Sequence, residues 1–239
     1  MGDLLHEPAL GVVVLVAIAL GAFAQGATGM GFSLVAAPVL IAAEGHTVGV
    51  ATVLILAACS SVVPLAREWR HTQPGAVVRL LVPTLLATPL IAWLVHDLDH
   101  RVLSVAGGVG VVIGVALLAS GLRSHWFRRP EGAIVTGVSS ATLNVVGGVG
   151  GPPIGLYVAN TDWTPAQTRA TLHGFLIVQN VVTAVVIGLV WPDWRHLAAL
   201  VVGSVIGIVV APRLSVVTAR SGILALSAIG GVALVAGSI

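Results

Sequence analysis

The sequence predicts an all-α polytopic membrane protein, and three observations predict it. Of 239 residues, 57% are apolar and 8% charged, with a mean hydropathy of +1.05; a soluble surface needs far more charge. Apolar stretches of helical length recur between short knots of Arg, Asp, His, Pro and Trp, whereas a transmembrane barrel would alternate in segments of about ten residues. Two stretches are interrupted, QGATGMGFSLVA at Gln25 to Ala36 and NVVGGVGGPPIG at Asn144 to Gly155. Interrupted hydrophobic segments at matching places in two halves point to a transporter's binding site.

Taken in order, Leu10 to Gln25 is apolar and about 24 Å long as a helix, and Phe32 to Ala43 about 18 Å. Both fall short of the roughly 30 Å hydrocarbon core, so two half-depth helices around a break are expected. Thr47 to Ala66 is a full-length helix ended by Arg67, Glu68, Trp69, Arg70 and His71. Pro74 to Val95 follows with Pro83 and Pro89 inside it, where a kink is expected. Arg101 to Gly121 completes a first repeat, residues 1–121, and its glycines suit close helix packing. Leu122 to Glu131, with Arg123, Arg128 and Arg129, reads as a linker (residues 122–131). The second repeat, residues 132–239, runs through Gly132 to Val146, Pro152 to Asn160, Pro165 to Val190, Trp194 to Ala211 and Val217 to Gly237. Each half is thus a short broken-helix pair plus three transmembrane helices, eight to ten hydrophobic segments in all.

A shift of 119 residues places Gly29 and Gly31 on Gly148 and Gly150, Gln25 on Asn144, and Ala51-Thr52 on Ala170-Thr171. Each half holds an odd number of spans whether its short pair counts as two spans or as one re-entrant hairpin, so the repeats are expected to be inverted. A cytoplasmic linker then puts Arg67, Arg70, Arg123, Arg128, Arg129, Arg213 and Arg220 inside and only Arg101 and Arg195 outside, as the positive-inside rule asks. Both termini lie outside in this scheme.

The formal charge of +2 and the pI near 9.5 come from arginines without lysine; in a membrane chain they set orientation, and no nucleic acid partner is implied. The single cysteine, Cys59, forms no internal disulfide and no metal cage, and reads as a core residue. The start, MGDLLHEPAL, lacks the basic residues of a cleaved signal peptide, so the first apolar run is expected to be retained.

With these motifs in view, the chain resembles the sulfite exporter TauE/SafE family of membrane transporters. The resemblance rests on GATGMGFSLVAAPVL (Gly26 to Leu40), GGVGGPPIGLYVAN (Gly147 to Asn160), Ala170-Thr171 with Phe175, and Ala51-Thr52. It implies a secondary transporter of small, commonly sulfur-containing anions such as sulfite or sulfonates, in the cytoplasmic (inner) cell membrane. The anion, the direction of transport and the coupling ion stay open, as does homo-oligomerisation.

Glycines at a break let the backbone leave helical geometry and let a ligand approach unpaired amides. A helix start beyond the break offers donors and partial positive charge, which suits an oxyanion. Candidate substrate-binding residues are therefore Gln25, Thr28, Gly29, Gly31, Asn144, Gly148, Gly150, Gly151 and Pro152. The amides of Gln25 and Asn144 either donate to substrate or fix the hairpins by interhelical bonds. Arg169, His173, Asn180 and Thr183 share one helical face. His173 is a further candidate for substrate or proton relay, and Arg169, His173 and Asn180 for gating or coupling; the alternatives are a headgroup anchor for Arg169 and a core histidine for His173. His96, Asp97, Asp99 and His100 lack a further anchor, so no metal site is expected. Trp69, Trp93, Trp126, Trp163, Trp191 and Trp194 fit an interfacial belt. No nucleotide motif is present, and no cofactor is expected. The rivals are a carrier or channel for another small ion, which would want acidic residues at depth, and a membrane enzyme, which would need a convergent catalytic cluster.

Overall fold

In the computed structural model, described over residues 8–210 and 216–238, ten α-helices follow one another with no strand among the described residues. They are α1 (Pro8–Thr28), α2 (Phe32–Glu44), α3 (His46–Glu68), α4 (Pro74–Val95), α5 (His100–Ser120), α6 (Pro130–Gly147), α7 (Gly151–Ala159), α8 (Pro165–Ile187), α9 (Trp194–Val210) and α10 (Val216–Ser238). Single turns of 310 helix at Trp69–His71 and His125–Arg128 carry the chain round two corners. Helices α1, α3, α4, α5, α8 and α10 are long and apolar enough to span a membrane. The protein is a multi-pass membrane protein.

Three expectations change. Cys59, read as a core residue, stands exposed on α3. The first segment is not of half depth: α1 has 21 residues, about 31 Å at 1.5 Å per residue, because the helix continues through Gly26 to Thr28 before breaking. Only its partner α2, with 13 residues, is short. Helix α8 stops at Ile187 rather than Val190, since Gly188 takes φ 110°. Helix α4, by contrast, is continuous through Pro83 and Pro89.

Both faces of the bundle are legible in burial. Val12, Val16, Leu86, Leu90, Val185 and Ile229 stand exposed on helix surfaces, as lipid-facing side chains do. The interior is built around Ile18, Phe32, Leu40, Leu54 and Leu56, with a smaller cluster of Leu80, Ile154, Tyr157, Leu172 and Phe175. Helix α1 packs on α9 and α6 on α4; α2 packs on α10 and α7 on α5; α3 meets α8, and α5 meets α10. This set of pairs is unchanged when each helix is exchanged for its counterpart five elements on. Glycines set the closest approach. A Cβ on Gly207 of α9 would stand 2.7 Å from the Phe23 carbonyl oxygen of α1, and one on Gly137 of α6 would stand 2.8 Å from the Leu80 carbonyl oxygen of α4.

The ends of the bundle differ. At the linker end, Asn160 Oδ1 accepts from the Ser124 amide at 2.7 Å, and its Nδ2 donates to the Leu122 carbonyl at 3.0 Å. Arg128 there bonds Asp162 in a two-pronged pair. This guanidinium, through hydrogen bonds first and charge second, holds the Asp162 carboxyl below its usual range. At the far end, Glu44 of α2 lies 3.7 Å from the His196 ring of α9, and His46 Nε2 lies 2.7 Å from the Val146 carbonyl oxygen.

Candidate functional site

Each break is made locally by glycine. Helix α1 closes on Gly29 at φ 81°, whose amide donates to the Gln25 carbonyl at 2.8 Å. Gly31, at φ 114°, then starts α2. In the second half Gly148 takes φ 67° and donates to the Asn144 carbonyl at 2.9 Å, while the Val149 amide returns to the Leu143 carbonyl at 3.2 Å. This is the glycine-terminated helix end that satisfies the last free carbonyls. An L residue at these left-handed positions would cost roughly 1–2 kcal/mol.

Around the second break a polar frame pins the backbone. Asn144 Oδ1 accepts the Gly150 amide at 3.0 Å and its Nδ2 donates to Thr183 Oγ1 at 3.1 Å. Gln179 Nε2 donates to Ser140 Oγ at 2.8 Å, and Ser140 in turn donates to the Gly150 carbonyl at 2.6 Å. The first break is tied down more lightly. Gln25 Nε2 reaches Ser60 and Ser61 of α3 at 2.8 and 3.0 Å, and both hydroxyls donate to the Ala57 carbonyl. Both side chains bond neighbouring helices, Gln25 to α3 and Asn144 to α8.

The two breaks meet. One small cavity of about 30 Å³ has Gln25, Gly31, Ser61, Asn144, Gly150, Gly151, Pro152 and Asn180 in its wall, together with Ser33 of the first turn of α2. Among the described residues no carboxylate and no arginine borders it. Met30, Gly31, Leu34 and Leu118 also line a larger chamber of about 260 Å³, which reaches Gly121, Leu122 and Arg123 at the linker end. A separate chamber of about 370 Å³, lined by His46, Val50, Trp93, His100 and Ile187, lies at the far end.

The remaining candidates sit around this cavity rather than on it. Gly29 and Gly148 are the hinges. Gly29 faces the Arg169 stem, since a Cβ there would lie 3.4 Å from Arg169 Cγ; Gly148 faces Val53 at 3.2 Å and Val50 at 3.8 Å. Arg169 joins Glu68 of α3 through both guanidinium and carboxylate edges, its Nε at 3.0 Å. His173 of α8 is fully buried; among the described residues neither ring nitrogen has a hydrogen-bond partner, and the side chain has no place on the cavity wall. The Thr28 side chain lies outside the described set.

Ser33, Ser61, Glu68, Ser140 and Gln179 were not legible as site residues. For Ser61 a signal existed, because the 119-residue shift sets it on Asn180. Glu68 and Arg169 stand 101 residues apart, and nothing in either neighbourhood announces the pair.

Comparison with known proteins adds one finding: a family model described as Sulfite exporter TauE/SafE matches residues 13–238. No curated protein and no solved structure matches the chain.

Proposed function

The chain belongs to the sulfite exporter TauE/SafE family, and from that premise we propose that it is a secondary transporter of a small sulfur-containing oxyanion, sulfite or a short sulfonate. It works by alternating access across the inner cell membrane. One observation carries the reading: two glycine breaks, far apart in the chain, share one small cavity whose polar groups are amides and hydroxyls without a carboxylate. Such a wall favours an anion over a cation.

Two further features support alternating access between inverted halves. Helix α2 ends beside His196 at the far end while α7 ends beside the linker, so the two hairpins enter from opposite ends. The cavity shares Met30, Gly31, Leu34 and Leu118 with the linker-end chamber and no wall residue with the far-end chamber, where Val50 faces the Gly148 hinge. This arrangement is the cytoplasm-facing member of a pair. Arg169 and Glu68, tying α3 to α8 beside Gly29, form the closure that changes when the site turns.

Flux in proteoliposomes tests the proposal. Reconstituted protein is expected to move sulfite or ethanesulfonate down an imposed gradient, with Gly150→Leu inserted but inactive. Selective cation movement, or chemical conversion without movement, would overturn it.

A further inference from the structure

Although the 119-residue shift makes the two breaks equivalent, their chemistry is not. In α2 the first turn is Phe32, Ser33 and Leu34; at the matching places α7 has Gly151, Pro152 and Pro153. The first amides of a helix have no carbonyl within it to bond, and no side chain caps α2. Its first turn therefore offers three donors, and Phe32, Ser33 and Leu34 all border the shared cavity. In α7 the two prolines have no N–H to give, and the Gly150 amide is already taken by Asn144. Only Gly151 retains an amide in that turn.

A second observation points into the same space. Asn180, on α8, is 3% exposed and borders the cavity, yet no described residue hydrogen-bonds its side chain. Its neighbours behave otherwise: Gln179 is bonded to Ser140, and Thr183 accepts from Asn144. Its amide atoms are not sealed off from solvent-accessible space, and the cavity they border is where a ligand oxygen could accept from them. Ser61, its equivalent in the first half, is consumed by Gln25.

We propose that the anion is held at one break only: its oxygens lie on the α2 first turn, at the Phe32, Ser33 and Leu34 amides with the Ser33 hydroxyl, and Asn180 donates from the opposite wall. The second break is a rigid jaw that shapes the cavity without supplying the charge-bearing contacts. A group of the XO3 type, three oxygens on one centre with net negative charge, matches three convergent amides near a positive helix end. This assignment rests on the transport reading above and specifies where that transport site binds.

The test exploits the natural asymmetry. Ser33→Pro gives the first break the residue that the second already carries, deleting one amide and the hydroxyl where a helix start accepts proline. Ser33→Ala deletes the hydroxyl alone, and Asn180→Asp puts a negative charge into the cavity at constant shape. Binding of sulfite and ethanesulfonate to detergent-purified full-length protein is measured by calorimetry, beside flux in liposomes. Ser33→Pro is expected to weaken binding at least tenfold, Ser33→Ala about threefold, and Asn180→Asp beyond detection, each with a ligand-free melting temperature near that of the unmodified protein. Should Ser33→Pro not fold, the other two variants decide. Unchanged affinity in Ser33→Ala and Asn180→Asp, with the unmodified protein binding and transporting, overturns the assignment and leaves the transport reading standing. Absence of binding and flux in the unmodified protein overturns the transport reading itself.

Discussion

Replacing Gly150 by alanine probes the frame around the second break. The backbone itself accepts alanine, since Gly150 has φ −67°. The obstacle is space: a Cβ would stand 2.7 Å from Gln179 Nε2, 2.8 Å from Asn144 Oδ1 and 2.9 Å from Asn144 Cβ. Neither neighbour is a loose chain end, because Thr183 holds Asn144 and Ser140 holds Gln179. If Asn144 yields, the Gly150 amide is left buried without a partner, at about 1–3 kcal/mol. If it stays, overpacking costs about 1–3 kcal/mol. Both routes give the same range, equivalent to roughly 2–4 °C of melting temperature per kcal/mol for a chain of this size. The assay is thermal unfolding in detergent beside Gly151→Ala, where a Cβ meets nothing within 4 Å. Equal melting temperatures for the two variants would refute the reasoning.

Three other outcomes are expected. Gly207→Val drives a side chain into the Phe23 backbone of α1 and should abolish the α1–α9 crossing, read as loss of a monodisperse peak in gel filtration; a well-behaved peak contradicts it. Glu68→Gln removes one charge of a partly exposed pair, so stability should move by no more than about 1 kcal/mol while the flux rate changes, and the Glu68→Arg, Arg169→Glu exchange should restore it. Unaltered flux in Glu68→Gln removes the closure role. Asp162 is held below its ordinary value near 3.8 by Arg128; a depressed folded value means the contribution is present above the unfolded value and lost as pH falls through the folded one. The stability difference between the unmodified protein and Asp162→Asn should therefore be constant at neutral pH and close only below pH 3.8, measured by thermal unfolding across pH.

Much of the architecture was legible because its causes are local. Apolar composition and segment length select membrane helices whatever their neighbours do. Glycine at positions 29, 31 and 148 supplies the left-handed turns that end one helix and begin the next, and proline at 152 and 153 fits a helix start. The expected segments at Thr47, Pro74, Pro165 and Trp194 accordingly lie close to α3, α4, α8 and α9. The shortfall was at α1, where Ala27 and Thr28 continue the helix across a stretch whose glycines read as a break beginning at Gly26.

By itself, then, the amino-acid order determined the helices, the places where two of them break, and the pairing of the breaks by a shared spacing. Which polar groups are left over was decided only in three dimensions. Asn144 and Gln25 have equivalent places and similar amides, and both bond neighbours 35 to 39 positions away. Asn180 shares a helical face with His173, but it borders the cavity and His173 does not. A hydrogen bond is settled by whichever partner comes within about 3 Å, and helix crossings between distant segments set that distance; local composition cannot.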